Sequence, residues 1–319
     1  MSRLSTERYL QARAFIADRG RTLERLLFEH DFERAPVWPV LDELETFQND
    51  DGGFGRGLEP DVLTPASSAL ATSVALRVLA HVAAPSSLPM VRAAVDYLRA
   101  TLVENGRVWR IVPQETADAP HAPWWAQDGL EERFTGFVLN PKADIVAQLH
   151  ALGDAAPRPW LAQLAADVLV ATTGVLDASR SSGGDASLEM HDLIGVTRLL
   201  DAPGLDEFVR SDLRSVAAPV AVAAVRAAVR AAVDGSGYGL TALSIAPTPG
   251  AHLAAALAGE TMTELDRLVA SQADDGAWWP AWSWGEGTDA GEASRVAWAG
   301  VLTLEALRSL QVFGRIDRE

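Results

Sequence analysis

Four short segments of the sequence carry residue types that could do chemistry. The first, 53–62, is a loop with three glycines in which Glu59 and Asp61 flank a proline and Arg56 adds a positive charge. If Asp61 lies at a helix N-terminus, the helix dipole favours its ionised form, which suits a ligand-binding anion better than a proton donor. The alternative is a loop in which the carboxylate caps the helix and Arg56 is its partner.

The second segment, 120–125, places His121 and the adjacent pair Trp124 and Trp125 among prolines. A histidine there could act as an acid, a base or a hydrogen-bond donor. Exposing two indoles would cost about 1.5–3 kcal/mol each, so we expect these rings either to cover a core edge or to line a pocket.

The third segment, 188–193, contains Glu189, His191 and Asp192 near the start of a predicted helix. These side chains could bind a cation. Successive residues of a helix diverge, however, so at most two of them can face one metal ion. The alternative is a buried histidine that a neighbouring carboxylate satisfies.

The fourth segment, 278–286, packs four tryptophans into a loop. Aromatic walls stabilise carbocations through their π faces and also stack on sugar rings. One of the four, Trp278, belongs to a repeat described below. The candidates for a cavity wall are therefore Trp279, Trp282 and Trp284.

Composition excludes several classes of site and partner. The chain has no cysteine, so disulfides, thiolate nucleophiles and Cys-containing zinc sites are excluded. A formal net charge of −16 opposes binding to phosphate backbones, and we expect no nucleic-acid partner. No long apolar run and no signal-peptide pattern stand out. The sequence thus predicts a cytoplasmic protein that does not span a membrane, and it leaves the oligomeric state open.

Helices must position these segments, because the sequence is rich in Ala, Leu, Val, Glu and Arg between short Pro- and Gly-containing turns. A nearly uncharged helix that starts at Ser67 must be buried almost all round. The predicted helices cover 5–29 with a break at Gly20, 36–47, 67–82, 87–103, 141–152, 158–173, 186–201, 205–233, 250–272 and 290–313. Alternating apolar and charged helices predict an inner and an outer layer.

An internal repeat sharpens this picture. Its two clear copies combine a glutamine, an Asp-Gly pair and an aromatic residue, and each precedes a loop and an apolar helix. They read Gln48-Asn49-Asp50-Asp51-Gly52-Gly53-Phe54 and Gln272-Ala273-Asp274-Asp275-Gly276-Ala277-Trp278. Weaker copies occur at 105–109 and 234–238.

The repeat resembles that of squalene cyclases and of the β subunits of protein prenyltransferases. The resemblance implies an all-α fold, an α/α toroid of paired inner and outer helices that forms a single domain over 1–319. It also implies that Gln48 and Gln272 cap the following helix, while Phe54 and Trp278 pack on the preceding one. The acidic pairs at 50–51 and 274–275 then belong to the architecture.

The catalytic motifs of those families are missing. Neither the Asp-X-Asp-Asp motif of proton-initiated cyclases nor the Asp-Asp-X-X-Asp motif of magnesium-dependent synthases occurs. The zinc set of prenyltransferases needs a cysteine. The sequence therefore predicts no metal motif and leaves the cofactor unknown. Magnesium is expected only if the substrate is a diphosphate.

The leading hypothesis is a terpenoid cyclase-like or prenyltransferase-like protein that binds, and could cyclise or isomerise, a small hydrophobic isoprenoid-type molecule in a Trp-lined central cavity. The alternatives are a carbohydrate-active glycosidase or lyase and a non-catalytic scaffold, so whether the chain is an enzyme stays open. The candidate catalytic residues are Glu59, Asp61, His121, His191 and Asp192. The candidate substrate-binding residues are Arg56, Trp124, Trp125, Glu189, Trp279, Trp282 and Trp284.

Overall fold

The computed structural model of the protein describes residues 2–105, 107–183, 185–231 and 239–317. Those residues form thirteen α-helices and no β-strand, which confirms the predicted all-α class. The helices are α1 (Thr6–Arg19), α2 (Thr22–Glu33), α3 (Trp38–Glu45), α4 (Ala69–His81), α5 (Pro89–Thr101), α6 (Leu130–Arg133), α7 (Lys142–Ala151), α8 (Arg158–Ser181), α9 (Met190–Asp201), α10 (Glu207–Ala231), α11 (Ala242–Ile245), α12 (Ala258–Ala270) and α13 (Asp289–Val312).

Hydroxyl caps start the helices that follow the two repeat turns. The Ser68 side chain accepts a hydrogen bond from the backbone of Ala71 at the start of α4, and the Thr288 side chain accepts one from Gly291 at the start of α13. Each cap satisfies a backbone N–H that has no partner within its helix. As predicted, α4 is largely buried and α1 ends at Gly20.

Helix α8 is longer than predicted, because Gly174 continues the helix instead of ending it and the helix reaches Ser181. By length and composition α8 could also cross a membrane, a property that it shares with core helices of soluble proteins. Helix α12 starts at Ala258, later than predicted, because irregular turns occupy the preceding residues.

The chain divides into two compact units. The terminal unit comprises Met1–Leu44 and Val225–Glu319, and the middle unit comprises Glu45–Ala224. Within the terminal unit, α1 and α2 both pack against α13. The backbones of Leu4 and Ile316 form a parallel bridge beside them. The first and last helices of the chain are therefore neighbours.

In the middle unit, α7 packs against both α4 and α9. The backbone N–H of Asn140 donates to the carboxylate of Asp192, and Gly195 lies so close to Ala143 that an added Cβ would come 3.0 Å from the alanine Cβ. The first contact pairs Asn140 with Asp192 and the second pairs Ala143 with Gly195, so the residue numbers rise together along both segments. Helices α7 and α9 are therefore parallel, with α8 connecting them.

A buried ion cluster joins the same three helices. Asp144 on α7 accepts hydrogen bonds from Arg77 on α4, at 3.0 Å, and from Arg198 on α9, at 2.8 Å. Burial opposes ionisation of this carboxyl, but the two guanidinium groups outweigh it and lower the pKa of Asp144 below its ordinary value. Removing either arginine would leave a buried charge poorly compensated, so this cluster fixes the lateral order of the helices.

Candidate functional site

The N-terminal turn, residues 47–54, docks on α5 through one side chain. The Gln48 amide donates to the carbonyl of Gly52 within the turn, at 2.9 Å, and to the carbonyl of Met90 on α5, at 3.0 Å. The backbone N–H of Phe54 donates to the Thr72 hydroxyl on α4, at 3.1 Å. The turn thus connects two helices of the middle unit.

The C-terminal turn, residues 271–278, makes the same hydrogen bonds inside the terminal unit. The Gln272 amide donates to the carbonyls of Gly276 and of Arg8 on α1, both at 2.9 Å. The backbone N–H of Trp278 donates to the Thr303 hydroxyl on α13, at 3.0 Å. The two copies of the repeat are therefore equivalent three-dimensional units, residue by residue.

The role implied for the two glutamines differs from the observed one. Neither Gln48 nor Gln272 caps the following helix, because Ser68 and Thr288 do so. Each glutamine instead donates to a carbonyl of a third helix, on which the turn rests. A side-chain amide can do this because its two N–H groups donate to two carbonyls at once.

Trp278 does pack on the preceding helix, as the resemblance implies. Its indole N–H donates to the carbonyl of Leu268 on α12, at 2.9 Å. In the weaker copy at 105–109, the Trp109 indole makes the corresponding bond to Leu98 on α5, at 2.8 Å. The other weak copy, 234–238, lies outside the described residues.

An open cleft of about 530 Å³ lies beside the N-terminal turn. It is lined by Asn49, Asp51, Thr64, Pro65, Ala66, Ser67, Glu115, Asp118 and Ala119. Three of these side chains are carboxylates, three are hydroxyls or amides, and none is a lysine or arginine. The cleft therefore combines acidic and hydrogen-bonding side chains with apolar surface from Pro65, Ala66 and Ala119.

Asp51 is held in place at the edge of this cleft. Its Oδ1 accepts hydrogen bonds from the backbone of Gly53, at 2.9 Å, and from the Ser67 hydroxyl, at 2.7 Å. Among the described residues, none donates to its Oδ2. Arg56, predicted to bind substrate, donates instead to Asn49 at 2.9 Å and to a backbone carbonyl of the same loop. The expected pairing of Arg56 with a carboxylate is not observed in the loop as described.

Tyr97 on α5 lies beneath the turn and is only 9% exposed. A Cβ built on Gly53 would come 2.7 Å from its ring, so the ring packs directly under that glycine. Burial, followed by the charges of Asp51 and Glu115, raises the pKa of Tyr97 above its ordinary value. The phenol therefore stays neutral and can donate a hydrogen bond.

Three predicted catalytic residues lie together next to the cleft. The backbone of Ala122 donates to the Asp61 carbonyl at 2.9 Å, and the Asp61 backbone donates to the Glu59 carboxylate at 2.8 Å. His121 lies on the paired segment, with its Nδ1 2.8 Å from the carbonyl of Ala119, a cleft residue. Both carboxylates are nearly inaccessible, at 6% for Glu59 and 3% for Asp61.

Asp61 does not lie at a helix N-terminus. It precedes Ser68, the N-cap of α4, by a full loop, so the expected interaction with the helix dipole is absent. The loop instead pairs with segment 119–122, where Val62 and His121 form an antiparallel bridge. The structure therefore places the Asp61 side chain inside the middle unit.

Trp125 packs in the protein interior, and Trp124 is half-buried. The Trp125 ring stacks on Phe134, with centroids 5.2 Å apart and planes 8° apart. Its indole N–H has no hydrogen-bond partner in the part of the chain that the structure describes. The backbone carbonyl of Trp124 accepts from Arg133 at 3.3 Å. These contacts match the core-edge alternative for the pair.

The third predicted segment caps helix α9. The Glu189 carboxylate accepts from the His191 backbone at 2.7 Å and lies 3.1 Å from the His191 ring nitrogen. Burial, and then the charge of Glu189, raises the pKa of Asp192 to about 7. The described residues contain no group of three or more His, Asp or Glu placed to hold a metal ion. Asp192 is thus a buried acid that can exchange a proton near neutral pH.

The Trp-rich segment is engaged in contacts within the terminal unit. Trp279 lies 4.1 Å from the guanidinium carbon of Arg295 and 5.1 Å from that of Arg19, measured to a ring centroid. Its indole N–H donates to Asp275, and the edge of Phe15 meets its ring at a centroid distance of 5.7 Å.

The other two tryptophans also have protein partners. Trp282 meets Trp298 edge-on, with ring centroids 5.2 Å apart. The Trp284 indole donates to the Ser294 hydroxyl at 3.1 Å. All three rings thus pack on α13 or its neighbours, an arrangement that stabilises the terminal unit.

The sequence interpretation missed the cleft residues Asp51, Ser67, Glu115 and Asp118, and also Tyr97 beneath the turn. The sequence analysis assigned Asp51 to the repeat architecture. Its hydrogen bonds to Gly53 and Ser67 agree with that role, but Asp51 also lines the cleft. The sequence signal for the cleft was the residue that follows the aromatic residue of each repeat copy. This residue is Gly55 in the N-terminal copy and Trp279 in the C-terminal copy. Lys142 was missed too. It is 2% exposed, and burial lowers its pKa.

Comparison of the chain with models of protein families, with curated proteins and with solved structures found no match. Function must therefore be inferred from the geometry of the sites. The cleft beside the N-terminal turn combines open access, carboxylates and hydrogen-bonding side chains. The Trp-rich segment, in contrast, satisfies its own rings and polar atoms.

Proposed function

We propose that the helices form an α/α toroid, as the resemblance to squalene cyclases implies. Two observations support it. Helices α7 and α9 are parallel and joined by α8, which is the connection that a ring of parallel inner helices needs. In the terminal unit, the first helices of the chain pack on the last one, α13.

We propose that the chain binds a carbohydrate in the open cleft of the middle unit. The observation that carries this proposal is the lining, in which carboxylates, hydroxyls and an amide surround an open space of about 530 Å³. Sugars present many hydroxyl donors, and ionised carboxylates accept two or more hydrogen bonds each. A purely apolar isoprenoid would offer no hydrogen-bond donor to the exposed carboxylates of Glu115 and Asp118.

Hydrolysis of a glycosidic bond is the reaction that such a cleft favours. It needs one carboxylic acid that protonates the leaving oxygen, and one carboxylate that activates water or attacks the anomeric carbon. Glu115 and Asp118 are exposed at the cleft, while Asp51 is held by two hydrogen bonds. We assign Asp51 to ligand positioning, and Glu115 and Asp118 to the acid and base roles.

The test is a panel of oligosaccharides, examined by calorimetric binding and by release of reducing ends. We expect at least one oligosaccharide to bind, and Glu115→Gln or Asp118→Asn to lower its turnover by about a hundredfold or more while binding is kept. The matched control is Glu286→Gln, an exposed carboxylate of the terminal unit. Binding without turnover would favour the scaffold alternative, and no binding would refute the proposal.

A second candidate is the binding of an isoprenoid-type molecule in the centre of the toroid. The observation that favours it is the equivalence of the two repeat turns, because this repeat is the feature that resembles squalene cyclases. Incubation with prenyl diphosphates and squalene, with and without magnesium, tests it. Thermal stabilisation or turnover by one of them, left intact by Glu115→Gln, would support a site separate from the cleft.

A further inference from the structure

Lys142 is the only lysine in the chain, which carries 27 lysines and arginines in all. A residue that served only as a cation could be an arginine, as are all the other residues of that count. Lysine differs in one chemical respect, because its amine can lose a proton and act as a nucleophile, whereas the guanidinium of arginine stays charged. The single lysine is therefore a candidate for chemistry that arginine cannot do.

The side chain of Lys142 is buried without a polar partner. It is only 2% exposed, and among the described residues its amine has no hydrogen-bond or ion-pair partner. Buried ammonium groups are otherwise paired in proteins. The amine nitrogen is not one of the fully enclosed polar atoms that lack a partner, so the small exposed part of the side chain includes its tip. The amine thus lies just below the surface with its hydrogen-bonding capacity unused.

The surroundings of Lys142 favour the neutral amine. Lys142 is the first residue of α7, where the partial positive charge of the helix N-terminus opposes an ammonium. Burial lowers the pKa of Lys142 below its ordinary value; the charge of Asp167 opposes this change, and the charge of Arg107 adds to it. A larger fraction of this amine is therefore uncharged at neutral pH than in an exposed lysine.

Arg107 supplies a second group for a ligand beside this amine. Its Nε donates to Asp167 on α8 at 2.6 Å, and its side chain is 34% exposed. Within the part of the chain that the structure describes, its two terminal nitrogens make no hydrogen bond. Such a guanidinium can bind a carboxylate through two parallel hydrogen bonds. Because the charges of Arg107 and Asp167 both act on Lys142, this ion pair lies close to the amine.

We propose that Lys142 forms an imine with a small aldehyde or ketone whose carboxylate binds Arg107. The neutral amine attacks the carbonyl carbon and forms a C–N bond, and the carbonyl oxygen then leaves as water with both amine hydrogens. The product holds a C=N bond, and the step needs no oxidant or reductant. None of these residues lines the cleft of the middle unit, so this site is independent of the proposed carbohydrate function.

The experiment traps the imine in the full chain with cyanoborohydride, and peptide mass spectrometry locates the adduct. The Arg158→Lys variant provides an internal reference, because the side chain of Arg158 is 85% exposed. With glyoxylate at neutral pH, we expect Lys142 to be labelled about tenfold faster than the lysine introduced at position 158, and equally fast in denaturant. If Lys142 is labelled no faster than the introduced lysine in the folded protein, the proposal is overturned.

A second aldehyde tests the role of the carboxylate. Acetaldehyde has the same carbon number as glyoxylate but no carboxylate. Normalised to the introduced lysine, labelling of Lys142 should favour glyoxylate by about tenfold. Arg107→Gln should abolish this preference. Arg180→Gln, which removes an arginine paired with Asp177 on the same helix α8, is the matched control and should keep it. A preference that is absent from the unmodified chain, or that survives Arg107→Gln, would overturn the assignment of the carboxylate to Arg107.

Discussion

Beside the C-terminal turn, the Trp279 indole fills the space between Asp275, Phe15 and two arginines. Beside the N-terminal turn, the residue at the same position is Gly55, and an open cleft lies next to it. The hydrogen bonds that build the two turns are nevertheless the same.

The difference teaches that the repeat determines how a turn docks, while the residue after the aromatic determines whether a side chain can enter the space beside it. At Gly55 the chain cannot carry a side chain in its present path, because a Cβ would come 2.3 Å from the Ala66 carbonyl oxygen. The close approach of these two backbone segments therefore keeps a residue like Trp279 out of the cleft.

The largest expected effect tests whether both turns dock equally tightly. Gly52→Ala and Gly276→Ala should each destabilise the protein by about 3 kcal/mol or more, since both have positive φ and a Cβ would meet helix backbone within 2.4 Å. Denaturant titration measures this. Gly129→Ala, also at positive φ but with open space around it, should cost only about 1 kcal/mol. If only one of these two substitutions left the stability unchanged, the two turns would not dock in the same way.

The next effect concerns the two glutamines. Gln48→Ala and Gln272→Ala should each cost about 2 kcal/mol, because each loses two hydrogen bonds and leaves carbonyls unsatisfied. Chemical denaturation of both variants is compared with that of Gln114→Ala, an exposed residue whose loss should change stability by less than about 0.5 kcal/mol. The two variants should lose similar amounts of unfolding free energy. A difference larger than the contribution of one hydrogen bond would contradict a shared role of the two glutamines.

Opening the C-terminal turn should have a smaller effect. Trp279→Gly gives it the residue of the N-terminal turn and should cost about 1–2 kcal/mol, through lost contacts with Phe15 and two arginines. Thermal unfolding measures this. Trp38→Ala, at an indole that is 58% exposed, serves as the control and should be nearly neutral. A neutral Trp279→Gly would show that the indole does not stabilise the terminal unit.

Filling the cleft should have the smallest effect on stability. Ala66→Trp places an indole in open space and should change the free energy of unfolding by less than about 0.5 kcal/mol. It should nevertheless abolish oligosaccharide binding, as calorimetry would show. Phe208→Trp, at a side chain that is 72% exposed, controls for an added indole. Unchanged binding in Ala66→Trp would place the ligand elsewhere.

Local sequence patterns predicted most of the helical elements correctly, because caps and periodicity act within a few residues. Gly20 ended α1 as expected, and hydroxyls start α4 and α13. The same reasoning failed for Asp61. Its loop pairs with segment 119–122, and pairing between distant segments has no local signature.

The candidate site was only partly predictable. Glu59, Asp61 and His121 do lie together, but their burial and their position next to the cleft depend on segments far apart in the chain. The raised pKa of Asp192 likewise arises from burial and then from the charge of Glu189, against a backbone hydrogen bond from Asn140, some fifty residues earlier, which lowers it. Desolvation and charge proximity are properties of packing, so sequence spacing does not reveal them.

By itself the sequence determined the all-α class, the absence of thiol chemistry and the two repeat turns, since each follows from residue types or from short-range bonds. Only the tertiary structure decided what lies beside each turn. It filled one with Trp279 and left the other open between Asp51, Glu115 and Asp118. The physical reason is that a turn is built by neighbours in sequence, whereas a cleft is the space that distant helices and loops leave between them.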